Sequence, residues 1–456
     1  MGLCPNHIFA AYEIERCRGI IAAVSGGSDS LGLLFLLKDY LAQLNNPPQL
    51  MAVTVDHQLR KESRDEAELV AALCKAQQIE HRILAWDEAK PASGISAAAR
   101  SARYRLLVQA AKEAGADMIL TGHTRDDQIE TFLMRQSRST HSQARGLAAM
   151  ARRSRLENSV ELIRPLLEIS RQSLRAELQA RGIGWVDDPS NHNAEYERPR
   201  IRLQQAKDVD PDLILAKVAL AKAARKKDNS AVISALADPA CLKLDSAGAF
   251  LVDAQIYAQL PENPRRLFAG LLTSLAGGRR FLPGDAERMR IENMLTGQES
   301  RTRLTVLGAL IERGENGEPH RFCRERRNLP VVNLSLKYPI IWDGRYCFFY
   351  KGNENFEIRA PGRQELLDYM KSHAIELNKA DREALLVLPA LYKEGKLAHL
   401  IFGKPAHLHK EIRDQLEIKR HFALYDHVLT GYDFGLAAAV ERRIGRECFD
   451  FSKPDS

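Results

Sequence analysis

Apolar positions in the first part of the chain follow two alternating rhythms. Short aliphatic runs read as strands: GIIAAV ending at Val24, MAVTVD ending at Asp56, HRILAW around Ile83 and DMILTG around Ile119. Between them lie helical spacings: Leu31, Leu34, Leu37 and Leu41, then Ala67 to Ala76, then an alanine-rich stretch from Ile95 to Ala114. Strands separated by helices of this length predict an α/β domain with a parallel, doubly wound sheet. Ligands of such sheets collect beyond the carboxyl ends of the strands.

The texture changes after Lys207. Helical patterns dominate from Pro211 to about Glu312, broken at Pro261, Pro264, Gly277 and Gly278. Strand-like segments follow, LPVVNLSL and then YPIIWDGRYCFFYKG, in which Asp343-Gly344 is a hairpin signal. LVLPALYKEGKLAHLIF reads as a second hairpin. The predicted organisation is an α/β domain over 1–207, a mainly helical domain over 208–330 and a small α+β domain over 331–456.

Composition narrows the class. Of 456 residues, 45% are hydrophobic and 27% charged, which excludes a disordered chain. Lysine and arginine number 66 against 59 acids, a surplus of seven that matters only if concentrated toward a polyanionic partner. No apolar run reaches the roughly 18–20 residues that span a bilayer, and the N-terminus lacks a secretory pattern. Seven dispersed cysteines with no CxxC pair argue against a disulfide framework or a thiolate metal site, so a cytoplasmic location is expected.

The most informative element is Ser25-Gly26-Gly27-Ser28-Asp29-Ser30, between the first strand and the first helix. The glycine pair lets backbone approach a ligand closely, and the helix start offers unpaired N–H groups to a phosphate. Serine and aspartate are also ordinary helix caps. Aspartate is nevertheless a poor neighbour for phosphates unless it helps hold Mg²⁺, so Asp29 is the expected metal contact. The loop resembles the PP-loop of the ATP pyrophosphatases, which implies ATP as cosubstrate.

Three more motifs fall at strand ends or on an adjoining helix: Val55-Asp56-His57-Gln58-Leu59-Arg60, Arg100-Ser101-Ala102-Arg103-Tyr104, and Gly122-His123-Thr124-Arg125-Asp126-Asp127-Gln128-Ile129-Glu130-Thr131. Arg100 and Arg103 share a helical face, as do Asp127 and Glu130, and the spacing adds His123 to that face. Singly, each has a bland explanation in solvated charge or helix-dipole acids. Jointly they surround one sheet edge.

With Arg164-Pro165-Leu166-Leu167 and Trp185-Val186-Asp187-Asp188-Pro189-Ser190-Asn191, these motifs resemble the tRNA(Ile)-lysidine synthetases, densely over about residues 20–202. That resemblance implies ATP-dependent attachment of free L-lysine to C2 of the wobble cytidine of a CAU-anticodon isoleucine tRNA. It passes through an adenylated base, with release of AMP and pyrophosphate. It also implies that Ser25, Gly26, Gly27, Ser28, Asp29 and Ser30, with Asp56, His57 and His123, hold ATP. Asp29, Arg103 and Asp127 would form the catalytic polar cluster. Arg100, Asp126, Glu130, Arg200 and Arg202 would face lysine or tRNA. A homodimer is compatible with the sequence, which does not fix oligomeric state.

Two segments depart from the family pattern: Arg138 to Leu147, where a glycine-rich stretch is usual, and Arg198-Pro199-Arg200-Ile201-Arg202, where Pro199 removes a backbone donor. Basic clusters at Arg152-Arg153-Ser154-Arg155, Arg225-Lys226-Lys227, Arg279-Arg280 and Arg324-Glu325-Arg326-Arg327 are expected to contact tRNA phosphates. The alternatives are a PP-loop tRNA thiolase, against which the missing CxxC pairs count, and a non-enzymatic RNA-binding protein.

Overall fold

The computed structural model describes residues 2–60, 62–138, 144–186, 210–245, 248–334, 339–401, 412 and 414–444. The chain divides into two compact units. Unit 1 takes residues up to Lys226 together with Val428–Tyr432; unit 2 takes Lys227–His427 and residues 433–444.

Unit 1 opens with a short helix, α1 (Pro5–Phe9), and then alternates as the apolar rhythm predicts: β1 (Gly19–Ala23), α2 (Ser28–Leu41), β2 (Gln49–Asp56), α3 (Ser63–Ala76), β3 (Glu80–Ala85), α4 (Ile95–Glu113), β4 (Met118–Thr121) and α5 (Arg125–Arg138). Strands β5 (Arg153–Leu156) and β6 (Val160–Ile163) and helix α6 (Arg171–Ala180) complete it. β3, β2, β1, β4 and β6 run parallel in that spatial order, with β5 and the strand Val428–Thr430 added antiparallel at one edge. Ala22 sits opposite Ala52 on one side and Leu120 on the other.

β1 is buried throughout because helices cover both faces. Ile20, Ala22 and Val24 pack with Leu33, Leu37 and Leu174 on one side; Ile21 and Ala23 pack with Leu107 and Ala111 on the other. The chain leaves β1 toward β2 on one flank and returns as β4 on the other. The switch point therefore lies between β1 and β4, and the loops after these two strands open there.

Unit 2 is richer in short strands than its helical patterns announce. A five-stranded antiparallel sheet is built from Leu242–Leu244, Phe250–Val252, His320–Arg324, Ala309–Glu312 and Arg303–Val306. Helix Glu262–Gly277 buries Leu267, Phe268, Leu271 and Leu272. The Asp343-Gly344 hairpin forms, both residues taking positive φ, and joins Ile340–Trp342 to Tyr346–Tyr350. Ala390–Lys393 and Lys396–Leu400 make the second hairpin. Val332–Asn333 pairs instead with Glu357–Arg359, in a different sheet from Ile340–Trp342.

The candidate ATP and acid centre

The loop after β1 is closed by its own hydroxyls. Ser30 Oγ donates to Gly27 O at 3.0 Å and accepts from the Ser25 amide at 3.1 Å. Gly26 takes φ +84°, a conformation side chains rarely adopt, and Gly27 turns the chain into α2. The first turn of α2 lies against the turn after β4, where a Cβ on Gly122 would stand 2.6 Å from Asp29 O and 2.9 Å from Ser30 Cα. Glycine is what allows the two loops to touch.

That contact brings the acids together around a residue the sequence reading missed. Arg171, the first residue of α6, donates from Nε to Asp29 Oδ2 at 2.8 Å. Its other guanidinium nitrogens lie 3.7 Å from Asp127 Oδ2 and 3.6 Å from Glu130 Oε1. Its backbone N–H donates to Asp126 Oδ2 at 2.8 Å. Four predicted acids thus converge on one arginine, three of them on a single guanidinium. Asp127 and Glu130 are buried, and burial raises the Asp29 pKa above its ordinary value despite the pull of Arg171, with Asp127 adding to the rise. Arg175, one turn along α6, approaches Ser28 Oγ at 3.4 Å.

Asp127 also holds the backbone, since its Oδ2 accepts from Thr124 N at 2.8 Å and Thr124 Oγ1 at 2.9 Å. α5 therefore starts at Arg125, which corrects the spacing argument for His123. That residue precedes the helix, and its Nδ1 pairs with Thr121 Oγ1 at 2.9 Å. Asp56 caps the turn into α3, accepting from Gln58 N at 2.9 Å and Ser63 Oγ at 2.7 Å.

His57 and His123 share one neighbour. Burial holds both imidazoles below their ordinary pKa, and the charge of Arg103 pushes each further down. The charge of Arg103 is thus felt by both histidines; Arg100, exposed and lying over the Tyr104 ring at 5.0 Å, adds to the lowering at His123. His57 Nδ1 is buried with no hydrogen-bond partner among the described residues, and its ring meets Trp86 edge-on at 6.1 Å.

As arranged, this centre is not an open metal site. Asp29 spends Oδ2 on Arg171 and accepts from Ser28 Oγ through Oδ1 at 3.1 Å. Among the described residues no group of three His, Cys, Asp or Glu is placed to hold a metal ion. Magnesium at Asp29 would have to displace a guanidinium.

Arg200, Arg202, the Asp187–Asn191 motif and residues 139–143 lie outside the described residues. Two basic clusters need correction. Arg153 is buried, paired with Glu161 at 2.9 Å and donating to Ala11 O at 3.0 Å; Arg324 is buried in a bidentate pair with Asp343 at 2.9 Å. Neither offers its guanidinium to RNA. Arg225 donates to Arg145 O and Thr430 Oγ1, both at 3.3 Å, within unit 1.

A doubly wound sheet with this loop at its switch point defines an ATP-using enzyme of the PP-loop class, and residues 6–208 match the PP-loop domain family. The chain is 60% identical over 460 residues to the tRNA(Ile)-lysidine synthase of Brucella anthropi, covering 99% of this chain and 100% of that protein. It is 59% identical over 452 residues to the enzyme of the same name from Brucella ovis, with 99% and 100% covered. A U34-tRNA thiolase from Methanococcus maripaludis is a distant structural likeness, with TM-score 0.38 and 17% identity over 48% of this chain and 77% of that one. The chain belongs to the tRNA(Ile)-lysidine synthase family.

Proposed function

We propose that unit 1 adenylates C2–O of the wobble cytidine in a CAU-anticodon isoleucine tRNA and then transfers free L-lysine to that carbon. The observation that carries this reading is the meeting of three carboxylates and Arg171 directly beside the phosphate loop.

The C2 oxygen of cytosine is a poor leaving group. Attack by that oxygen on the α-phosphorus of ATP expels pyrophosphate and turns the oxygen into part of an AMP leaving group. Charge accumulates on phosphate oxygens, which the N–H groups at the start of α2 and the Arg103 guanidinium are suited to stabilise. His57, neutral and with an orphaned buried Nδ1, can hydrogen-bond the nucleotide without adding charge. His123, held low by burial and by the charges of Arg164 and Arg103, is neutral as well.

The second step needs lysine as a free amine, although it arrives as an ammonium. An acid-rich centre attracts the ammonium, and we assign Asp127 to take its proton. Glu130 and Asp29 hold the charge balance with Arg171, and Asp126 fixes the start of α6. The amine nitrogen then bonds to C2, the C2–O bond breaks and AMP leaves. Arg100, exposed on α4, and Arg200 and Arg202 are the residues we assign to RNA. We place this work in the cytoplasm, a reducing compartment in which cysteines stay out of disulfides, as the described ones do; among the described residues no helix is long and apolar enough to cross a membrane.

The direct test supplies ATP, Mg²⁺, labelled lysine and an unmodified CAU-anticodon isoleucine tRNA. Label in the RNA with AMP formed is the expected result. ADP in place of AMP, or no incorporation, overturns the assignment.

A further inference from the structure

Unit 2 contains a cavity of about 420 Å³ lined by six arginines (Arg303, Arg321, Arg324, Arg326, Arg345 and Arg420) against three glutamates, Glu312, Glu325 and Glu383. Arginine-rich surfaces are common, but here much of the positive charge is inside. Arg324 and Arg345 are both buried, and both spend themselves on one carboxylate. Asp343 accepts from Arg324 at 2.9 Å through each oxygen and from Arg345 Nε at 2.6 Å. Two buried cations on one buried anion leave a formal charge uncompensated, an arrangement that burial disfavours unless another anion approaches.

Arg420 adds to the excess. Its Nη1 donates to Tyr346 Oη at 2.8 Å and its Nη2 to Gly248 O at 3.1 Å, and its guanidinium lies over the Tyr346 ring. Among the described residues it has no carboxylate partner. Its charge joins burial in holding the Arg345 pKa below its ordinary value. Part of the wall is already balanced: Glu312 pairs with Arg303 and Arg321, Asp245 with Arg321, Glu383 with Arg326 and Arg363, and Glu325 with Arg327. With Asp245 and Asp343 added to the lining glutamates, six arginines face five carboxylates, and the wall stays positive.

We propose that this cavity binds a multiply charged oxyanion of the phosphate class. Guanidinium forks match phosphate oxygens in geometry and carry a fixed charge, so several of them around a concave space favour a divalent or higher anion over a single carboxylate. The volume lies within the usual range for small-ligand pockets and admits a diphosphate with water. The anion has two sources of the same chemistry, a free phosphate or a backbone phosphate of RNA.

Calorimetric titration of the full-length protein with inorganic pyrophosphate, at ionic strength fixed with chloride, separates this site from the phosphate loop of unit 1. The wild type is expected to show one more binding event than Arg420→Gln, or the same event with Kd at least about tenfold lower, the scale of one charge-assisted hydrogen bond. Arg303→Gln, whose side chain is 75% exposed, should weaken the same event and covers the case in which Arg420→Gln fails to fold. Adding tRNA assigns the source. Loss of the Arg420-dependent event marks an RNA phosphate, and its persistence marks a free phosphate. Identical pyrophosphate isotherms for wild type and both variants would overturn the proposal.

Discussion

The two units use the same residue types in opposite proportion. At the switch point of unit 1, one guanidinium serves three carboxylates, so the centre is short of positive charge. In the cavity of unit 2, two buried guanidiniums share Asp343 while Arg420 has only neutral acceptors, so that centre is short of negative charge. A salt bridge inventory would call both regions well paired. Counting charges rather than pairs is what supports the two proposals, that the first receives a cation, such as the ammonium of lysine, and the second an anion. Ratio, rather than the presence of ion pairs, carries the functional information.

The contrast can be attacked at several points. The largest effect is expected from Asp127→Asn, which keeps an oxygen to accept from Thr124 but removes the proton acceptor. Lysine transfer should fall about 10²–10⁴-fold with the melting temperature nearly unchanged. Parallel loss of folding would make Asp127 a cap and nothing more.

Acid should next divide the units. Burial pushes His320 in unit 2 down to about 4 from an ordinary 6.5, Arg313 adding to the effect. The unfolded chain therefore takes up the proton first, and stability drains as pH falls from 6.5 to about 4. The total is about 3 kcal/mol. His320→Asn, followed by urea unfolding at several pH values, should flatten that slope. Asp29 works in the other direction. Its folded pKa lies above 3.8, so the folded state holds the proton longer and this group favours folding in acid, losing that contribution as pH climbs past 3.8. Asp29→Asn should remove a falling limb of stability there; an unchanged pH profile would mean that the carboxyl is ordinarily solvated.

A comparable loss, about 2–3 kcal/mol, is expected for Arg171→Met, because three carboxylates are left without their shared cation. Arg171→Lys should restore part of it. If Arg171→Met melts like the wild type, the acids are not coupled and the contrast between the units weakens. The smallest effect is expected at Arg153→Gln. It should lower stability by about 1 kcal/mol but leave tRNA affinity and its salt dependence unchanged, because its donors are already taken by Glu161 and Ala11.

Much of unit 1 was legible because its signals are local. Strand runs, helical spacings and the Ser25–Ser30 loop each occupy a few consecutive residues, and all appear where the pattern put them. Arg171 was not legible. In Ser170-Arg171-Gln172-Ser173 it looks like the first residue of an ordinary capped helix, and its partners come from Asp29, far earlier in the chain, and from α5. The same limit explains Arg153 and Arg324, whose sequence neighbours suggest an exposed basic cluster while burial depends on distant segments. In unit 2, strands such as Leu242–Leu244 and Phe250–Val252 are too short to display a period of two. His123 was misplaced for a smaller reason: Thr124 caps the helix, so the i to i+4 relation begins one residue too late to include it.

The missing side chain at Gly122 has a mechanical consequence. With the turn after β4 resting on Asp29 O and Ser30 Cα, the phosphate-loop helix start and the acidic turn have no room for a side chain between them. The two loops therefore fix one another's position by direct contact, without an intervening lever. A Gly122→Ala enzyme would have to hold the two loops apart, and the acids of one would stand off from the phosphate site of the other.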